Sequence, residues 1–185
     1  MRPKLLVTLS LLVLTACTSA PSVPTEALDR ETGATVTTPA QPLLFAPVQE
    51  TASRQFSYVT VVAVDVNQNS QHQSLLLAYY WFGVSKDVDP APRTLRMVAD
   101  DQVIELHPEA GTPRDFGIAA LPHAPARGFA LAPLVYRCEP AVWRLLASAR
   151  QLTVQVGSTQ DPWPRYEIWN DGRPALRQML EQLQP

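Results

Sequence analysis

His72, His107 and His123 are the only histidines in the 185 residues, and Cys17 and Cys138 are the only cysteines. No two of these five stand at a metal-ligand spacing such as His-x-x-x-His or Cys-x-x-Cys. Serine, histidine and aspartate all occur, yet no G-x-S-x-G elbow marks a nucleophile. Asp100-Asp101 falls between two strand-like runs, where aspartate suits a turn better than a carboxylate dyad. With only 7 glycines there is no glycine-rich phosphate loop. The expectation is therefore no enzyme, no metal and no cofactor. Cys138 follows Leu134-Val135-Tyr136, precedes Glu139-Pro140, and has no neighbouring histidine to lower its pKa. It reads as a small, buried, unreactive residue.

The aromatic residues form two groups. Tyr79, Tyr80, Trp81 and Phe82 are consecutive, so on a strand Tyr79 and Trp81 face one side and Tyr80 and Phe82 the other. Trp163, Tyr166 and Trp169 lie near the C-terminus. Large aromatics usually pack inward. If instead exposed, Tyr79, Trp81, Trp163, Tyr166 and Trp169 would be the candidate ligand-binding set, a platform for glycan or peptide.

The N-terminus carries a different kind of signal. Arg2 and Lys4 precede an apolar run from Leu5 to Leu14, broken only by Thr8 and Ser10. The run is about half the ~20 residues that span a bilayer core, and its length suits the h-region of a signal peptide. It ends in Leu14-Thr15-Ala16-Cys17, which resembles the lipobox of bacterial lipoproteins. The resemblance implies that Met1 to Ala16 are removed and that Cys17, the lipidation site, becomes the first mature residue. Thr18 stands where an aspartate often retains such proteins at the inner membrane, so the resemblance implies the outer membrane, with the folded part facing the periplasm. Acyl chains on one residue anchor at about 0.8 kcal/mol per buried methylene. Cys17 would then be unavailable for a disulfide. The stretches "LDRETGATVT" and "RYEIWNDGRPALRQML" are similar to those of small Gram-negative lipoproteins, and that similarity brings no activity with it.

Composition narrows the partners. The net charge is −2 and no basic stripe is visible, which argues against nucleic acid. The 18 prolines sit mostly at the ends of apolar runs, as punctuation between short elements. The expected organisation is a signal peptide at 1–16, a lipidated cysteine and flexible tether at 17–33, and a single globular domain at 34–185.

The elements that must position any site follow from periodicity. Ala34–Thr38 and Pro42–Pro47 are weak strand candidates. Ser57–Val66 and His72–Ser85 form the clearest hairpin, across Asn67 to Ser70, and both are apolar on both faces. Arg93–Val98 and Val103–His107 form a second hairpin. Gly128–Arg137 reads as a strand broken by Pro133. Glu139-Pro140 starts a helix carrying Val142, Leu145, Leu146 and Ala149. Gln151–Val156 and Arg165–Trp169 alternate as strands. Leu176, Met179, Leu180 and Leu183 form the apolar stripe of a C-terminal helix. The predicted fold class is α+β: an antiparallel sheet or sandwich, one late inserted helix and one C-terminal helix. The expected role is a binding or assembly module of the cell envelope, held to the membrane by its lipid and partnered by another envelope protein. The alternatives are an inhibitor or ligand-binding module using the aromatic surface, or an enzyme with dispersed residues such as Cys138 beside His72 or His123.

Overall fold

A computed structural model of the chain describes residues 23–48, 58–81, 93–126, 130–157 and 164–183. Its centre is the long hairpin of β4 (Tyr58–Gln68) and β5 (Gln71–Trp81). The pair Gln68↔Gln71 leaves a two-residue turn, Asn69-Ser70, with both residues at positive φ. That turn type matches the twist of the flanking strands, and asparagine tolerates it well. The hairpin buries both faces. Val59, Val61 and Ala63 face one side with Leu76, Ala78 and Tyr80. Val62, Val64 and Val66 face the other with Leu75, Leu77 and Tyr79.

Ten strands join one antiparallel sheet. The free edge of β4 carries β2 (Thr35–Thr38) near its end and β3 (Leu43–Pro47) near its start. β1 (Thr25–Leu28) pairs with β2. From β3 the sheet continues through β10 (Arg165–Asn170), β9 (Leu152–Gly157) and β6 (Thr94–Ala99) to β7 (Gln102–Leu106). The other edge of β5 takes β8 (Leu134–Arg137). The sheet does not close into a barrel. Helices α1 (Pro140–Ser148) and α2 (Arg173–Leu183) cover its larger core face. The molecule is thus mostly antiparallel β with two helices, an α+β arrangement.

The larger core joins residues from seven strands with Trp143 and Leu146 of α1 and Leu176 and Met179 of α2. A short polar chain crosses it. The Tyr136 hydroxyl donates to the Arg93 carbonyl at 2.7 Å, so the Tyr80 hydroxyl, 2.6 Å away, donates to Tyr136. Burial pushes both phenols up, which keeps them as neutral donors. β5 and β8 are thereby tied to the residue just before β6.

The smaller core is roofed by residues 111–126, with a 3-10 turn at Pro113–Phe116 and Ile118 packed inward. Asp29 holds this roof down. Its Oδ1 accepts from the backbone N–H of Glu31 and Thr32, and its Oδ2 from those of Ala119 and Ala120.

Two boundaries differ from the sequence reading. Residues 25–33, expected as flexible tether, form β1 and the Asp29 turn, because one buried carboxylate satisfies four backbone donors there. The strand expected from Gly128 begins only at Leu134, past Pro133, whose missing N–H cannot join a ladder. Upstream of it, Ala130 makes one isolated bridge to Trp81.

Candidate functional site

Along the face of the larger core, the hairpin changes character partway. On β4 the inward series Val59, Val61, Ala63 ends in Asp65. On β5 the series Tyr80, Ala78, Leu76 ends in Ser74 and then His72. The register places Asp65 opposite Ser74, so both strands turn polar at the same level. Strand periodicity carries His72 to the same face, diagonal to Asp65.

The two helices stand over this polar floor. α1 contributes Pro140, Trp143 and Arg144 from its first turns, and α2 contributes Leu180 and Leu183 from its last. The stripe of α2 therefore divides. Leu176 and Met179 are buried in the core, while Leu180 and Leu183 are half-buried and wall a cleft. The cleft encloses about 390 Å³ and is lined by Asp65, His72, Ser74, Pro140, Trp143, Arg144, Leu180 and Leu183.

Its electrostatics are simple. The Asp65 side chain is buried, and Nδ1 of the more exposed His72 ring donates to its Oδ2 at 2.8 Å. The bond fixes the ring and turns Nε2 away from Asp65. Nε2 makes no hydrogen bond among the described residues. Arg144 is exposed and forms no ion pair among the described residues. The indole Nε1 of Trp143 is buried without a hydrogen bond of good geometry, and its polar neighbour is the weakly accepting Cys138 thiol.

Cys138 lies behind the cleft wall. Its backbone N–H and its thiol both point to the Ser74 carbonyl, at 3.1 Å and 3.8 Å. Burial pushes the thiol up to about 12, so at neutral pH it carries almost no thiolate. The other two histidines do not line the cleft. Nε2 of His123 donates to the Pro39 carbonyl, and His107 sits exposed near Thr94 and Glu105. No group of three or more metal-ligating side chains occurs among the described residues.

Among the described residues, the candidate aromatic set does not share one exposed surface. Tyr79 and Trp81 share a face as the alternation requires, but the 111–126 roof covers Tyr79, whose hydroxyl donates to the Pro122 carbonyl at 2.6 Å. Trp81 is half-buried and donates from Nε1 to Thr60 Oγ1. Tyr166 faces the larger core and is fully buried. Trp169 alone of the described set is exposed, at 70 %. Trp163 and Cys17 lie outside the described residues. A more open hollow on β9 and β10 gathers Arg150, Arg165 and Arg173. There Arg173 is engaged by Asp171 and by main-chain carbonyls, and Arg165 by Glu167.

The sequence reading placed His72 at a strand end but did not join it to Asp65, nor Arg144 to Leu180 and Leu183. A signal for the first pair was present: a two-residue turn at Asn69-Ser70 sets the register that brings Asp65 and His72 together. No protein family, curated protein or solved structure matches the chain.

Proposed function

We propose that this chain is a lipid-anchored binding module of the outer membrane, facing the periplasm, and that it acts by binding at the cleft between α1, α2 and the β4–β5 hairpin. The observation that carries the reading is the composition of that cleft: apolar walls from two helices, one exposed cation and one oriented imidazole. Ligand sites typically combine apolar walls with a few placed polar groups. The anchor rests on the basic start, the apolar run and the lipobox ending at Cys17. The cleft also supports assembly with another envelope protein, since its rim is built from helix residues open to the solvent.

The test is complementation of an envelope phenotype in a deletion strain. Leu180→Asp with Leu183→Asp should abolish rescue while leaving the fold and membrane attachment intact. His107→Ala, His123→Ala and Cys138→Ala together should rescue fully. Rescue by the cleft variant would defeat the binding reading.

A second reading has its own support in the 2.8 Å contact between Asp65 and His72, which is the orientation a general base requires. Ser74 shares the cleft. Full loss of rescue by His72→Gln, with folding and binding retained, would favour catalysis over binding alone.

A further inference from the structure

We propose that the cleft takes a single-chain amphiphile with a carboxylate head, a medium-chain fatty acid, with its chain against Pro140, Trp143, Leu180 and Leu183 and its head at Arg144. The proposal rests on the cleft being the binding site and adds what occupies it.

Three features converge. The first is the wall: Pro140, Trp143, Leu180 and Leu183 line the cleft from two helices and offer apolar surface on which a hydrocarbon chain can lie. The second is the division of charge. The Asp65 carboxylate is buried on the floor under its bond to His72, whereas the exposed charge on the α1 side of the cleft is the Arg144 guanidinium, which a head group held at the rim would meet. Its planar fork matches the two oxygens of a carboxylate, and His72 Nε2 supplies a further polar contact. The third is size. A volume of about 390 Å³ sits at the small end of the roughly 300–1,000 Å³ range of ligand pockets. It has room for one medium-length chain.

The experiment titrates decanoate, decanol and acetate into the full chain carrying Cys17→Ala, so that no attached acyl group competes. Decanoate should bind saturably, and acetate should not. Arg144→Gln should weaken decanoate about tenfold, the loss expected of one charge-assisted contact, and leave decanol unchanged. Arg144→Lys should recover part of the loss. Leu183→Asn should weaken both decanoate and decanol. Absence of decanoate binding at millimolar concentration, or equal binding by wild type and Arg144→Gln, would overturn the proposal. A photo-crosslinker at position 183 of the anchored chain separates the two levels of the argument. Capture of one defined envelope protein, with no decanoate binding, overturns the fatty acid and leaves the binding module standing. No capture and no decanoate binding overturns both.

Discussion

Asp29 shows how one side chain can decide whether a stretch is tether or fold. The sequence around it, Leu28-Asp29-Arg30-Glu31-Thr32-Gly33, carries little apolar surface, and nothing local requires it to be ordered. Its carboxylate is nonetheless bound by four backbone N–H groups from two segments about ninety positions apart. These bonds, with that of the Ala120 N–H the strongest, lower its pKa from 3.8 to about 2. The sign of the pH effect follows. A folded pKa below the unfolded one contributes stability that is fully present above about pH 4 and is lost as the pH falls toward 2. Asp29→Asn keeps the shape but places an amide N–H against donors, and should destabilise by about 1–3 kcal/mol at neutral pH. The gap between wild type and variant, measured by urea unfolding, should narrow steadily from pH 4 to pH 2. A gap that stays constant over that range would show that the carboxylate charge is not what holds the turn. Long-range capture of this kind has no periodicity, and so residues 25–33 could not be recognised as structured from sequence alone.

At the level of elements, periodicity was a better guide. The β4–β5 hairpin, the β6–β7 hairpin, α1 and α2 all lie within a few residues of their expected spans, because alternating and helical patterns report directly on burial. The patterns do not say what covers each face. For that reason the Tyr79 and Tyr166 side chains could be entertained as a platform although one is roofed and the other is core. The stripe of α2 has the same ambiguity: four apolar residues at helical spacing, of which two are core and two wall the cleft. Seating of the helix depends on Gly172, where any Cβ would collide with the Pro42 carbonyl, so α2 approaches the β2–β3 connection as closely as backbone allows. The split can be measured. Leu176→Ala removes a fully packed side chain and should cost about 2–5 kcal/mol, several degrees in melting temperature. Leu180→Ala, half-exposed to the cleft, should cost clearly less. Equal losses at the two positions would mean that the cleft is closed in solution and that Leu180 is core.

For the whole molecule, the order beginning at β1 changes what an anchor at Cys17 would do. Only residues 18–24 separate that cysteine from the first strand. Whatever their conformation, seven residues reach no farther than about 23–25 Å, whereas a strap running to residue 33 would more than double that limit. The proposed lipid would therefore keep the body within a few nanometres of the bilayer, which raises the local concentration of any membrane-borne ligand or partner. The topology joins this edge to the site: β1 pairs with β2, β2 with the Asp65 half of β4, and Gln182 of α2 reaches Glu26 of β1 at 3.4 Å. The strand that follows the strap is thus joined to the elements of the cleft through β2, β4 and α2. Wild-type chain and Cys17→Ala, expressed in Gram-negative cells and fed labelled palmitate, should differ completely. The wild type should take up label and sediment with outer membranes, and the variant should stay unlabelled and soluble in the periplasm. Equal labelling of the two, or a wild type that remains soluble, would remove the anchor and with it the argument from proximity, while leaving the geometry of the cleft and its decanoate test untouched.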